Sequence, residues 1–188
     1  MQEPIYLRPL KLNDINDKYL FWVNNPSVTE FLEIGEQSLG YNDLVKYVND
    51  SPKNGRYNYA VIAKNSQCHI GNCSIYSIEP NQKKFEIGWF IGEKNYWGGH
   101  YSSMIIFSLF KIGFLEMELD KCIGWVNKKH IKARMTNKFV GFNEKGEELR
   151  FIQKEKKKSI FMKLEINKKD WLLHAKKLYD KYPDLYEL

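Results

Sequence analysis

Residues 95 to 103, Asn95-Tyr96-Trp97-Gly98-Gly99-His100-Tyr101-Ser102-Ser103, set a glycine pair and two serines at a junction between unlike segments. The stretch before them, Phe85-Glu86-Ile87-Gly88-Trp89-Phe90-Ile91, is strand-like. The stretch after them, Met104-Ile105-Ile106-Phe107-Ser108-Leu109-Phe110, is apolar on nearly every side, as a buried helix is. The first turn of such a helix leaves several N–H groups unpaired, and these amides and the positive end of the helix dipole attract an anion. Gly98 and Gly99 permit close backbone approach, and the amides of His100, Tyr101, Ser102 and Ser103 complete a cradle. The chemistry this suits is capture of a phosphate-bearing cofactor. A glycine pair alone also suits an ordinary connecting turn. The strand on one side and the buried helix on the other favour the cradle.

The elements that must position this junction follow from periodicity. Ile5-Tyr6-Leu7-Arg8 is a short strand, and Asp14 to Trp22 is a helix broken by Asn24-Asn25-Pro26. Thr29 to Gly40 is irregular, with Phe31, Leu32 and Ile34 reading as exposed. A second helix runs from Asn42 to Asn49. From Tyr57 the period changes to two: Tyr57 to Lys64, His69 to Ile78 and Phe85 to Ile91 are strands. The apolar helix to Phe114 then leads to the strand Lys121 to Val126, a strand–helix–strand order that implies a parallel, right-handed crossover. Lys129 to Val140 is helical, with Ile131, Met135 and Phe139 on one face and Gly141 at a left-handed cap. A hairpin, Glu148 to Lys154 and Ser159 to Glu165, and an amphipathic helix, Asp170 to Tyr182, complete one domain over residues 1–188.

Composition narrows the classes. With 43% hydrophobic and 15% aromatic residues the chain is globular. No apolar run reaches membrane-spanning length, and residues 1 to 20 lack the apolar centre of a secretion signal. Cys68, Cys73 and Cys122 are odd in number and lack metal-ligand spacing, which points to a reduced, cytoplasmic protein without zinc. The net charge of +6 raises nucleic acid as a partner, but no recognition motif accompanies it. Much of the excess sits in Lys128, Lys129, Lys132, Arg134 and Lys138, and in Lys154, Lys156, Lys157 and Lys158, runs that usually form solvated faces.

This order of elements resembles the GNAT superfamily of acetyl-CoA-dependent N-acetyltransferases over nearly the whole chain. Leu7-Arg8-Pro9-Leu10 with Asp14, Glu86-Ile87-Gly88, Tyr96-Trp97-Gly98 and Gly141-Phe142 are similar to the branch of ribosomal-protein N-terminal acetyltransferases. Phe21-Trp22-Val23-Asn24-Asn25-Pro26-Ser27-Val28-Thr29 resembles relatives that acetylate amino-sugar nucleotides. The resemblance implies an α/β (α+β) GNAT-like fold: a mixed, mostly antiparallel seven-stranded sheet with one parallel crossover and four to five helices. The chain departs from the family pattern at four positions. Asn95 opens the pyrophosphate loop and His100 replaces its last small residue. His130 stands where an asparagine is usual, in His130-Ile131-Lys132-Ala133, and Asn137 stands where many relatives have a proton-donating tyrosine.

The resemblance also implies roles. Acetyl-CoA would lay its diphosphate on Gly98 to Ser103 and its pantetheine arm along main-chain groups of Trp89, Phe90 and Ile91, with an oxyanion donor near Phe90. Lys128, Lys129 and Lys132 would meet its ribose phosphate. Neutralising a lysine-like amine at pH 7 costs about 4–5 kcal/mol, so a base matters. Glu86, His100 and His130 are the candidates, with His130 also able to bond the pantetheine. Each has a plainer alternative: an ion-paired carboxylate, a backbone-only contact and a surface histidine. The acceptor wall would be Trp22, Asn24, Glu30 and Phe31, although an aromatic there also serves as packing. The acceptor expected first is an amino-sugar nucleotide and second a protein N-terminus, the protein being a monomer or homodimer. A non-catalytic CoA-binding domain is the alternative from another class.

Overall fold

The strand Tyr57–Ala63 alternates between two cores: Val61 and Ala63 enter one, and Ala60 and Ile62 enter the other. A strand so patterned must lie inside a sheet covered on both faces. The computed structural model describes residues 3–32, 38–152 and 156–186, and it carries that sheet. In chain order the elements are β1 (Ile5–Pro9), α1 (Asp17–Asn24), α2 (Pro26–Thr29), α3 (Tyr41–Asp50), β2 (Tyr57–Ala63), β3 (His69–Glu79) and β4 (Lys84–Ile91). Then come α4 (Tyr101–Lys111), extended by a wide turn over Ile112–Glu116, β5 (Lys121–Asn127), α5 (Ile131–Phe139), β6 (Asn143–Ile152), β7 (Lys157–Asn167) and α6 (Lys168–Lys181). The seven strands run in the order β1-β2-β3-β4-β5-β7-β6, and only β4 and β5 are parallel. The fold is therefore the expected mixed sheet with its crossover, carrying six helices among the described residues.

The larger core lies on the α4 and α6 side. Ile105, Leu109 and Phe110 of α4 and Trp171 and Ala175 of α6 pack there with Phe85, Ile87 and Ile91 of β4. The smaller core, on the opposite face, joins Tyr19, Trp22 and Val23 of α1 and Leu44 of α3, with Phe90 of β4 packed against it. The local stops are chemical. The Asn16 side chain caps α1 by accepting the Tyr19 N–H at 3.0 Å. Asn25 then caps a further turn of helix whose first residue is Pro26, so the proline starts α2 as well as ending α1.

The apolar spacing in α5 is used differently from the sequence reading. Ile131 and Met135 of α5 are 56% and 68% exposed, so their spacing does not mark a core face. The buried part of that segment is Asn137, Val140 and Phe142. Ile34 and Lys154 lie outside the described residues.

Trp22 is 2% exposed and rests on Gly92, immediately after β4. A Cβ on Gly92 would stand 2.0 Å from the indole. Gly92→Ala is expected to cost about 1–3 kcal/mol, the usual range for overpacking a full core. Denaturant unfolding measures it, and an unchanged midpoint would mean that Trp22 moves aside freely.

Candidate active site

The parallel pairing of β4 with β5 covers only Lys84–Lys121, Phe85–Cys122 and Glu86–Ile123. Beyond that the strands part. Each keeps its outer neighbour: Ile91 still faces Gly71 on β3, and Asn127 still faces Phe161 on β7. A fork results, with Glu86 and Ile123 at its vertex. The β4 edge from Glu86 to Ile91 is roughly 17 Å long at strand rise.

The ladder dictates which groups enter the fork. The Gly92 N–H donates to Ile70 C=O at 2.9 Å. Antiparallel alternation then turns the main-chain groups of Gly88 and Phe90 toward β3, and those of Trp89 and Ile91 into the fork. The Trp97 indole N–H donates to Ile91 C=O at 2.8 Å, from the side away from β3, in keeping with this parity. Within the expected stretch, Phe90 itself does not face the fork. Its amide belongs to the β3 ladder, its ring packs near Tyr19 and Trp22, and the donor in the fork is the Trp89 N–H.

At the wide end lies the glycine loop. Gly98 and Gly99 have φ of +93° and +55°, both left-handed, which glycine adopts without strain. The hydrogen bond at the start of α4 runs from Met104 N–H to His100 C=O at 2.8 Å, so the amides of Tyr101, Ser102 and Ser103 have no helical carbonyl beneath them. A Cβ on Gly98 would meet nothing within 4 Å, so open space lies where a side chain would intrude. These residues fit a diphosphate: consecutive left-handed glycines, unpaired amides and room beside them.

The His100 ring is turned aside from the loop, as the backbone-only alternative has it. It lies among Phe139, Tyr182 and Tyr186, with Nδ1 2.9 Å from the Tyr186 hydroxyl. That contact turns it into the protein and leaves its main chain to the loop. The Ser103 hydroxyl is buried and donates to His100 C=O at 2.8 Å, so Ser103 also offers the cradle its amide alone.

Alternation on β4 puts Glu86 on the face opposite α4. It lines a cavity of about 210 Å³ with Ser77, Glu79, Lys84, Ile123, Trp125 and Lys163. Tyr76, opposite Glu86 on β3, was not singled out in the sequence. Its ring lies 3.3 Å from the position of a Gly88 Cβ, and the Arg56 guanidinium stacks 4.0 Å from the ring centroid. Finding it required the β3–β4 register, which no local pattern encodes. Asn137 is 1% exposed, and its side-chain oxygen has no hydrogen-bond partner among the described residues.

His130 precedes α5, and its ring stacks on Phe31 with centroids 4.3 Å apart, bringing two candidate residues from distant segments together. Burial pushes its pKa down; Glu30 opposes this, and Lys132 adds to it. Trp22 and Asn24 do not join them. Trp22 is core, and Asn24 is consumed as a clamp, donating to Leu20 and Leu39 carbonyls and accepting the Leu39 N–H at 2.9 Å. Of the basic run, Lys128 pairs with Glu147 at 2.7 Å and Arg134 with Glu144 at 2.8 Å.

Burial also lowers the pKa of His69, so two histidines resist protonation in the fold. The unfolded chain, with histidine near 6.5, then binds more protons below that pH. Stability is expected to be full above about pH 6.5 and to fall on acidification toward the depressed folded values. Carboxylates with lowered pKa, such as Asp14 and Glu144, keep their stabilisation through this range and lose it only at lower pH, below the ordinary carboxylate pKa. His130→Gln should flatten part of the slope between about pH 7 and 5.5 in denaturant titrations. An unaltered slope would contradict this.

Residues 5–143 match the acetyltransferase (GNAT) domain family, and the chain belongs to that family. An uncharacterized N-acetyltransferase, p20, of Bacillus licheniformis is 26% identical over 147 residues, covering 77% of this chain and 82% of that protein. The spermidine N-acetyltransferase of Vibrio cholerae, solved with CoA and spermine, has a TM-score of 0.80 at 18% identity, covering 89% of this chain and 98% of that one. A GNAT-family acetyltransferase of Bacillus anthracis has a TM-score of 0.75 at 18% identity, covering 90% and 98%. These structures share the fold with this chain. The chain is an acyltransferase of GNAT type with acetyl-CoA as cosubstrate. No helix among the described residues is long and apolar enough to cross a membrane.

Proposed function

We propose that the enzyme acetylates a primary amine by direct attack on the thioester, with Glu86 accepting the amine proton and the Trp89 N–H donating to the thioester oxygen. Acetyl-CoA supplies the acetyl group: its C–S bond breaks as the C–N bond forms, and coenzyme A leaves as the thiol, its sulfur gaining one proton for the one the amine loses. The observation that carries this is the fork: a diphosphate cradle at its wide end, a β4 edge at Trp89 turned away from β3 between, and a carboxylate at its vertex on the open face. A diphosphate held by Gly98 and Gly99 sets the thioester back along β4 toward Gly88. A donor fixed in the backbone costs no reorganisation when charge develops on the oxygen. Glu86 and Tyr76 flank that position from the acceptor side.

The acceptor that best suits this cavity is a compact cationic amine of the polyamine kind. Lys84 and Lys163 at its rim are already paired, with Glu79 at 2.9 Å and Glu165 at 2.7 Å, so the rim offers little net positive charge to a nucleotide diphosphate. Glu86 within it suits a cation, although one face of the Trp125 ring is already covered by the Arg150 guanidinium, 3.9 Å from its centroid. A fold relative was solved with spermine, which makes polyamines a natural first probe. The amino-sugar nucleotide reading loses support from Trp22 and Asn24, which are both engaged internally.

Thiol release measured with spermidine, an amino-sugar nucleotide and a peptide with a free N-terminus tests this. The highest kcat/KM is expected for spermidine. Preference for the nucleotide or the peptide overturns the acceptor but keeps the chemistry. Tight CoA binding without thiol release on any amine favours a non-catalytic CoA-binding domain.

A further inference from the structure

Tyr186 follows α6, lies outside the residues matched to the family, and is 0% exposed. Its hydroxyl reaches the first turn of α4, 2.7 Å from Ser103 Oγ and 2.9 Å from His100 Nδ1. We propose that Tyr186 is a positioning residue for the diphosphate cradle, fixing the start of α4 through His100 and Ser103. The proposal rests on the loop being the cofactor site.

Donor counting fixes the direction of every bond. Ser103 has one hydroxyl proton and gives it to His100 C=O at 2.8 Å. Its oxygen must therefore accept from Tyr186. The Tyr186 hydroxyl has then spent its proton, so its oxygen accepts from His100 Nδ1–H. The circuit closes in one tautomer of His100. It ties side chain to main chain on both sides of Tyr101 and Ser102, whose amides face the ligand. Phe107 and Phe139 stand 5.1 and 6.5 Å from the Tyr186 ring centroid, and these apolar walls keep water from competing for the hydroxyl. Burial raises the phenol pKa to about 12, so it remains a donor across the working pH range.

A mere packing role for Tyr186 would lower the melting temperature and leave the folded protein's affinity for coenzyme A untouched. Positioning moves affinity itself. Tyr186→Phe keeps the ring and deletes the hydroxyl. By calorimetry with coenzyme A, Kd is expected to rise about five-fold, the size of one ordinary hydrogen bond. The same factor should appear in the acetyl-CoA KM, with kcat nearly constant. Ser103→Ala breaks the same bridge and serves if Tyr186→Phe does not fold. The double variant should lose less than the product of the two single losses. In the wild type, ¹⁵N spectra should show His100 protonated at Nδ1, and Tyr186→Phe should shift that signal. Equal Kd for wild type and folded Tyr186→Phe overturns the proposal. Absence of coenzyme A binding to the wild type overturns it together with the cofactor site. Both outcomes are separate from the amine panel, which tests the acceptor and the base.

Discussion

Glu86→Gln is expected to lower kcat by about 10²–10⁴-fold, the range for removing a general base, with the acetyl-CoA KM near its wild-type value. The substitution keeps size and hydrogen-bonding shape and removes only the ability to take a proton. Glu86 ends the β4–β5 pairing and lines the cavity on the acceptor face, about 17 Å of strand edge from the diphosphate loop. A change there should leave the cofactor's anchor intact. The amine arrives as an ammonium ion, and without a partner its deprotonation costs about 4–5 kcal/mol at pH 7 when it is lysine-like. The defect should therefore shrink as the assay pH rises toward the amine's own pKa. Steady-state kinetics on Glu86→Gln from pH 7 to 9.5 reads both effects. A variant with wild-type kcat would move the base elsewhere, with His130 next in line because burial keeps its ring neutral.

Gly98→Val should act at the other end of the fork. It is expected to raise the acetyl-CoA KM at least about ten-fold, since left-handed backbone costs a non-glycine residue on the order of 1–3 kcal/mol and a β-branched residue fares worst. Gly98 sits at φ +93°, and a Cβ there meets nothing within 4 Å, so the fold has room for the side chain. What it cannot accommodate is the backbone shape and the branched carbons in the ligand's space. Circular dichroism should remain close to wild type and the melting temperature should fall by only about 2–10 °C, while coenzyme A affinity falls. A variant that binds coenzyme A normally would mean that the diphosphate does not use this loop.

Much of this site was legible in the sequence because its parts are local. The glycine pair, the strand before it and the apolar helix after it are contiguous, and their alternation and helical periods are strong. The main-chain donor expected near Phe90 could not be narrowed to one residue, because the direction of a strand amide depends on its partner. A shift of one position, Phe90 to Trp89, exchanges the β3 ladder for the fork. Trp22 and Asn24 looked like an acceptor wall because their segment carries aromatic and amide side chains. The fold uses the indole to fill the space over Gly92 and the amide to clamp Leu39. Tyr76 and Tyr186 were invisible for a related reason. Tyr76 meets Gly88 across the sheet, and Tyr186 meets Ser103 from 83 residues away. Ile131 and Met135 show the converse, a helical spacing that tertiary packing leaves on the surface.

Amide chemical shifts followed during a coenzyme A titration test the central claim most directly. The largest changes should fall on Trp89 in the fork and on Gly98, Gly99, Tyr101 and Ser102 in the loop, with Phe90 and Gly88 moving less because their amides belong to β3. Saturable binding whose shifts cluster away from the fork and the glycine loop would contradict the account.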